Sequence, residues 1–242
     1  MSLGMFCGVP LPFHIWDEKY TSLMVASLPL VGGIIGALWW LAGLLLLSME
    51  APLVLTAAVL ALAPFLIAGF IHLDGYMDTS DAILSYRPLE DKLRILKDPR
   101  VGAFAVIMLG FVLILQFAAM FSVVERGGDL ALLIVIPIIS RGCSAMAIFV
   151  VRHMPESNYA ALLRQNIGAS HKIFVALIII AAIAAAALYA GHVGLIVAAA
   201  VILFYVGAMA KAFKNFKGIS GDLLGYSLVI SELGGLIVWA LF

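Results

Sequence analysis

The chain has 242 residues, of which 64% are hydrophobic and 12% are charged, and its mean hydropathy is +1.16. Soluble domains carry about 25% charged residues, so this composition excludes an ordinary soluble protein and indicates an integral membrane protein. The formal net charge at pH 7 is +0, which gives no reason to expect a nucleic-acid partner.

Seven apolar segments are long enough to cross a membrane as helices, and they are too continuous for the alternating strands of a barrel. They predict an all-α polytopic membrane bundle that forms one domain over residues 1–242. The predicted spanning helices cover 22–47, 51–71, 101–124, 130–151, 173–190, 194–210 and 223–242. We expect Pro29 and Gly32-Gly33 to bend the first helix. Before it, residues 1–20 are predicted to lie irregularly at the membrane surface, with Trp16 and Tyr20 as interfacial anchors.

The lysines and arginines alternate from one side of this bundle to the other. Most of them fall in the long connections at 72–100, 152–172 and 211–222, whereas the short connections at 48–50 and 191–193 contain none. The positive-inside rule therefore places the N-terminus and the long connections in the cytoplasm and the C-terminus outside. It predicts a multi-pass protein of the cytoplasmic membrane, in contact with membrane lipids.

Three carboxylates follow the second apolar segment, at Asp74, Asp78 and Asp81. On a helix these offsets share one face, within about 60° at roughly 100° per residue. Like charges on one face repel each other, so a bound divalent cation would stabilise the arrangement. Mg²⁺ suits such a site, because it is usually held by a few carboxylates plus the phosphate oxygens of a substrate. His72, which begins this motif, is a further candidate site residue by its position alone.

A short helix is predicted between Pro88, which can open it, and Asp98-Pro99, which ends it. Lys97 and Arg100 lie beside this stop and close to the next span. There they can hold phosphate oxygens, or simply contribute to the membrane topology.

The third long connection ends in Lys217-Gly-Ile-Ser-Gly-Asp222. Its glycines permit a tight backbone near a ligand, and Lys217 is a candidate phosphate contact. Asp222 begins the last span, where it can cap the helix or act at the site. Arg141 and Glu232 lie inside predicted spans, where a charge facing lipid costs about 3 kcal/mol or more. Both should face the bundle interior, either paired with each other or lining a polar cavity.

These residues permit phosphoryl transfer from an activated diphosphate to an alcohol at a membrane surface. A metal that bridges a diphosphate makes the phosphorus more electrophilic and the nucleotide a better leaving group. A free carboxylate can take the proton of the attacking hydroxyl. Carboxylate clusters also line ion pathways, so the residues alone leave an ion-coupled transporter open.

Several motifs carry a family resemblance along the whole chain. They are Pro10-Leu-Pro12, Pro29-Leu-Val-Gly32 with Gly36, His72-Leu-Asp-Gly-Tyr-Met-Asp-Thr-Ser-Asp81, Asp98-Pro-Arg-Val-Gly102, Ser140-Arg141, Gly218-Ile-Ser-Gly-Asp-Leu-Leu-Gly225 and Glu232-Leu233. In this order and spacing the chain resembles the cobalamin synthase family, the adenosylcobinamide-GDP ribazoletransferases of the cobalamin nucleotide-loop pathway. It departs from the family pattern at Val9 and at Ala82, Ala105 and Lys217, which stand where glycine is usual, and no departure removes a carboxylate.

The resemblance implies that the ribose 3′-hydroxyl of α-ribazole, or of its 5′-phosphate, attacks the cobinamide-side phosphate of adenosylcobinamide-GDP. GMP leaves, and adenosylcobalamin or its 5′-phosphate forms. Family members need Mg²⁺, which we expect on Asp74, Asp78 and Asp81, with Asp98 or Asp222 as a further ligand or the base. The candidate substrate contacts are Lys97, Arg100, Arg141, Lys217, His72 and Glu232, the first four through phosphate oxygens.

Other classes share part of this pattern. CDP-alcohol phosphotransferases also place spaced aspartates at a helix end, but they need an Ala-Arg and a later Gly-x3-Asp-x3-Asp that Asp78-Thr79 and Asp81-Ala82 do not supply. Intramembrane prenyltransferases carry a second Asp-rich motif, which is missing because Tyr226 stands four residues after Asp222. A transporter should bury its carboxylates near the midplane in broken helices. The sequence leaves the oligomeric state open and permits a homo-oligomer.

Overall fold

The computed structural model describes residues 1–8, 17–154 and 167–242, and these residues form helices and no strand. The helices are α1 (Ser2–Phe6), α2 (Thr21–Ala26), α3 (Leu28–Ser48), α4 (Leu53–Ile67), α5 (Ile71–Leu84), α6 (Leu89–Leu96), α7 (Ala103–Glu125), α8 (Leu132–Val150), α9 (Ala169–Phe216) and α10 (Gly221–Ala240), with a 3-10 turn at Glu18–Tyr20. The predicted residues Val9, Pro10–Pro12 and Trp16 lie outside the described ranges.

The bundle is built around α8 and α10, which are mostly buried, while α3, α7 and α9 surround them. The main core joins Trp39 of α3 and Leu60 of α4 to Ile136 of α8. The outer helices expose large apolar side chains such as Ile114 and Leu203. A surface of this kind is expected where helices face lipid, so the predicted all-α membrane bundle is confirmed.

The first predicted span is interrupted at Ser27, between α2 and α3, rather than bent at Pro29 or Gly32. Pro29 lies in the first turn of α3, a position that a helix accepts because no backbone donor is lost there. A Cβ at Gly32 would collide with the carbonyl oxygen of Pro137 on α8. Gly32 therefore serves the close approach of α3 to α8, and the expected bend at these residues is wrong.

Five helices of the described chain are long and apolar enough to cross a membrane, or six if α4 and α5 form one bent span. In addition, α9 contains a break at Gly191, where φ is 58° and ψ is −134°. A Cβ at Gly194 would meet the carbonyl oxygen of Ala186, although residues eight apart in a straight helix are about 12 Å apart. The chain of α9 therefore reverses direction, as expected for the predicted fifth and sixth helices. The number of spans, seven, stays a prediction.

A sharp corner separates α4 from α5, whose axes differ by 91°. Gly69 and Phe70 both adopt left-handed backbone conformations, with φ of 70° and 61°. They end α4 at Ile67, so the predicted span 51–71 extends too far. Gly8 packs into the corner, since its backbone N–H donates to the carbonyl oxygen of Ile67 at 2.8 Å. The corner carries α5 away from the direction of α4.

The polar connections converge at one end of the bundle. Residues 152–154, after α8, pair with the segment before α10, because the N–H of Ile219 donates to the carbonyl oxygen of Arg152 at 3.0 Å. The start of α7, at Gly102, and the start of α10, at Asp222, contact α5. The described parts of these connections thus lie at one end of the bundle, while the topology and the side of the membrane stay predictions.

Candidate active site

The candidate site is built where α5 crosses α10. A Cβ at Gly75 would lie 2.7 Å from the Cα of Asp222, and a Cβ at Gly225 would lie 2.9 Å from the carbonyl oxygen of His72. The rings of Tyr76 and Tyr226 stack beside this contact, with centroids 5.8 Å apart. Only glycine leaves room for two backbones this close, so the crossing fixes Asp222 against the first turn of α5.

The crossing brings four carboxylates together. Asp78 lies within electrostatic range of Asp74, Asp81 and Asp222. Like charges at this range destabilise the protein unless a cation compensates them. Among the described residues, no three His, Cys, Asp or Glu side chains converge on a single metal position. Mg²⁺ needs only one or two carboxylates when phosphate oxygens and waters complete its shell, so the donor set fits this ion.

Asp81 has a second role, at the beginning of α7. Its carboxylate lies directly against Gly102, where a Cβ would overlap both oxygens. One oxygen, Oδ1, accepts a hydrogen bond from the backbone N–H of Ala105 at 3.4 Å. The residue before α7 has no side chain of its own to cap the helix, and a carboxylate at a helix N-terminus is stabilising. Asp81 therefore connects the aspartate motif to the Asp98–Gly102 motif.

Asp98 is held by Arg100 two residues later. The guanidinium donates from Nε to Oδ1 at 2.9 Å and from Nη2 to Oδ2 at 2.7 Å. The backbone N–H of Arg100 donates to Oδ1 as well, at 3.0 Å. These hydrogen bonds hold the pKa of the Asp98 carboxyl at about 2. A carboxylate with so low a pKa is a weak proton acceptor near neutral pH.

One cavity, of about 240 Å³, lies between α5, α8 and α10; it is less open than the second cavity described below, and we call it the enclosed cavity. Its walls are largely apolar. Its polar lining includes Asp74, Asp222, His72, Arg141 and Ser144. α1 contributes Met5 and Phe6, so the N-terminal helix closes one side.

Arg141 and Glu232 form a buried ion pair in the wall of this site, which is one of the two alternatives that the sequence left open. Nη1 of Arg141 donates to Oε1 of Glu232 at 2.6 Å, and the hydroxyl of Ser140 donates to the same oxygen at 2.7 Å. Nε of Arg141 and Nε2 of His72 are buried without a hydrogen-bond partner among the described residues. Because such atoms are costly to bury, they mark this part of the site as suited to a polar ligand.

A second cavity, of about 680 Å³, opens beside the start of α7, and we call it the arginine cavity. Its charged lining consists of Arg87, Arg94, Arg100, Asp81 and Asp98. Two of these arginines, Arg87 and Arg94, were not predicted as site residues. Their only signal in the sequence was the positive charge of the 72–100 connection, which the topology already explained.

The remaining predicted site residues lie farther out. Lys97 is exposed at the end of α6 and borders a separate shallow cavity with Glu90. Lys217 is exposed just after α9 and lines neither the enclosed nor the arginine cavity. Asp222 lies within the first turn of α10, whereas the cap is Ser220, whose hydroxyl accepts from the N–H of Leu223 at 3.4 Å. The predicted capping role of Asp222 is therefore wrong, and its carboxylate belongs to the aspartate cluster.

Comparison with known proteins identifies the family of the chain. The family model described as cobalamin-5-phosphate synthase matches residues 1–240. The chain belongs to this family. An adenosylcobinamide-GDP ribazoletransferase of Clostridium perfringens is 38% identical over 98% of this chain and 95% of its own length. Proteins of the same name from Clostridium botulinum and Geobacillus kaustophilus are 36% and 32% identical, over 100% and 99% of this chain and 96% and 92% of their own lengths. No solved structure matches the chain.

The structure brings together two of the motifs on which the resemblance to the cobalamin-5-phosphate synthase family rests. The His72–Asp81 motif lies within α5, and the Gly218–Gly225 motif includes the start of α10. The two motifs are in direct contact through Gly75 and Gly225.

Proposed function

We propose that this chain is an adenosylcobinamide-GDP ribazoletransferase. It joins α-ribazole, or α-ribazole 5′-phosphate, to adenosylcobinamide-GDP, releases GMP and forms adenosylcobalamin or its 5′-phosphate. The observation that carries the proposal is the aspartate cluster at the α5–α10 crossing, flanked by two cavities, in a chain that matches the family over residues 1–240. Two cavities beside one cluster suit a reaction between two substrates.

In the reaction, the acceptor hydroxyl oxygen forms a bond to the cobinamide-side phosphorus. The bond from that phosphorus to the bridging oxygen breaks, and GMP leaves with this oxygen. The hydroxyl proton passes to a carboxylate of the cluster. Asp222 is the better candidate, since it borders the enclosed cavity together with Asp74, while Asp98 is engaged by Arg100.

Mg²⁺, when bound, would neutralise charge on the diphosphate and favour departure of GMP. We propose that one or two of the carboxylates of Asp74, Asp78 and Asp81 would hold it together with phosphate oxygens, because no three side chains of the described residues converge on one metal position. Asp81 would have Oδ2 available to such an ion, since Oδ1 accepts the Ala105 N–H. The chain's own contribution is to hold these carboxylates at the crossing and to present the arginines nearby.

The protein is a multi-pass membrane protein, and we place it in the cytoplasmic membrane with the site on the cytoplasmic face. The charge pattern of the long connections supports this placement. The transporter alternative is not favoured, because the chain matches the cobalamin-5-phosphate synthase family over residues 1–240 and its relatives are named as transferases.

The test is a GMP-release assay on the purified protein in lipid nanodiscs, with adenosylcobinamide-GDP in the presence and absence of α-ribazole and Mg²⁺. We expect GMP release only when all three are present. Release that does not depend on α-ribazole would indicate a hydrolase. No release from folded protein with both nucleoside forms would refute the proposal.

A further inference from the structure

We propose that the arginine cavity binds the GMP half of the activated substrate, with Arg87 and Arg94 as phosphate ligands beside Arg100. The acceptor nucleoside then occupies the enclosed cavity on the other side of the aspartate cluster. This inference rests on the proposed function, because it assigns the two substrates of that reaction to separate cavities.

The two cavities differ in charge. The arginine cavity is lined by three guanidinium groups and two carboxylates, those of Asp81 and Asp98. The enclosed cavity has one guanidinium, that of Arg141, which Glu232 already neutralises, and the two carboxylates of Asp74 and Asp222. Asp91, which pairs with Arg94, brings the arginine cavity close to neutrality, whereas the enclosed cavity has two uncompensated carboxylates. A diphosphate is therefore repelled less from the first cavity, and the second suits uncharged α-ribazole rather than its 5′-phosphate.

The sizes lead to the same assignment. Pockets for drug-sized ligands measure about 300–1,000 Å³, and the arginine cavity of about 680 Å³ falls in this range. The enclosed cavity of about 240 Å³ is smaller and has apolar walls that include Phe6, Leu28 and Ile148. A flat base with a ribose is the part of the substrates that suits it. GMP, which must leave, is better placed in the cavity that opens outward.

The arginines are free to exchange partners. Arg94 pairs with Asp91 at 2.9 Å and Arg100 with Asp98 at 2.7 Å, but the two arginine side chains are 73% and 87% exposed. Such exposed pairs contribute little, so phosphate oxygens can displace the carboxylates and receive two parallel N–H bonds from each guanidinium. Arg87 has no side-chain hydrogen bond or ion pair with the described residues, so its guanidinium can bind phosphate without first releasing a carboxylate.

Helix α5 connects the two cavities. Asp74 borders the enclosed cavity and Asp81 borders the arginine cavity, seven residues along the same helix, or about 10 Å at 1.5 Å per residue. Asp78 lies between them. A diphosphate entering from the arginine cavity therefore brings its phosphorus to Asp78, where a hydroxyl from the enclosed cavity can reach it.

The test measures binding of GMP to the full-length protein in nanodiscs by isothermal titration calorimetry. The variant is Arg87→Ala/Arg94→Ala, and the matched control is Arg126→Ala, an exposed arginine that follows α7 at its far end. We expect the double variant to weaken GMP binding about 10-fold or more, because charged hydrogen bonds are lost. KM for adenosylcobinamide-GDP should rise similarly, while KM for α-ribazole and all values for Arg126→Ala stay within about twofold.

The outcomes separate this proposal from the proposed function. If wild-type protein catalyses the reaction but the double variant binds GMP normally, the cavity assignment is wrong and the function stands. If α-ribazole displaces GMP competitively, both ligands share one cavity and the assignment is again wrong. Absence of saturable GMP binding to the wild-type protein also overturns it. If GMP binds through the arginines but no transfer occurs, the cavity assignment stands without the proposed function.

Discussion

Replacing Gly102 by alanine should show that Asp81 and the start of α7 act together. The backbone of Gly102, with φ −83° and ψ 163°, is open to any residue, so the effect comes from the methyl group alone. That methyl group would overlap the Asp81 carboxylate and displace it from the N–H of Ala105. Loss of a helix cap costs about 1 kcal/mol, in a range of about 0.5–2. For a chain of this size, that corresponds to a melting temperature lower by about 2–4 °C.

Gly110 supplies a matched control in the same helix. A Cβ at Gly110 meets no atom within 4 Å, and alanine inside a helix is favoured over glycine by about 0.5–1 kcal/mol. Gly110→Ala should therefore raise the melting temperature, measured by intrinsic fluorescence in nanodiscs, while Gly102→Ala lowers it. GMP release should fall in Gly102→Ala and remain unchanged in Gly110→Ala.

A double-mutant cycle isolates the contact. Once Asp81→Ala has removed the carboxylate, the methyl group at position 102 has nothing to displace. The double variant should then be no less stable than Asp81→Ala alone, with a coupling of about 1 kcal/mol. If Gly102→Ala lowers stability equally in both backgrounds, the capping argument is wrong.

Three further predictions follow from the site. Gly75→Ala should separate α5 from Asp222 and reduce GMP release more than 10-fold in protein that still melts cooperatively, whereas unchanged release would exclude a role for the tight crossing. Glu232→Gln should lower the free energy of unfolding by about 3–5 kcal/mol, because Arg141 is left charged and buried. The double variant Arg141→Met/Glu232→Leu removes both charges, so it should recover much of the melting temperature but not the GMP-release activity. Asp78→Asn removes like-charge repulsion, so it should raise the melting temperature measured without Mg²⁺ by about 2 °C. The same variant should abolish GMP release. A lower melting temperature would contradict the repulsion between the aspartates.

Features that depend on local sequence were predicted well. Apolar runs of spanning length located the helices, and the lone charges of Arg141 and Glu232 could be placed in the interior because lipid does not tolerate them. The errors at helix ends have local causes as well. The corner at Gly69-Phe70 needs two consecutive left-handed residues, and nothing in the side chain of Phe70 signals that conformation.

Features that depend on contacts between distant segments could not be predicted. In the sequence, Gly75 is simply a residue that weakens a helix. Its role in the close contact with Asp222, nearly 150 positions later, is visible only in the structure. Likewise, the three aspartates of α5 share a helix face, but their partners differ. Asp74 borders the enclosed cavity, whereas Asp81 turns to the N-terminus of α7. A periodicity gives the direction of a side chain relative to its own helix and says nothing of the element that it meets.

The use of Asp81 as a cap explains how the cluster can persist before substrate arrives. Four neighbouring carboxylates repel one another, and the N-terminus of α7 offers one of them a favourable partner that is part of the fold. The same contact joins α5 to the start of α7, directly after the turn that carries Asp98 and Arg100. A shift of Asp81 toward a bound cation would therefore move the start of α7, and with it Arg100 and the lining of the arginine cavity. Binding of Mg²⁺ and binding of the nucleotide should accordingly be coupled, each strengthening the other by the same factor.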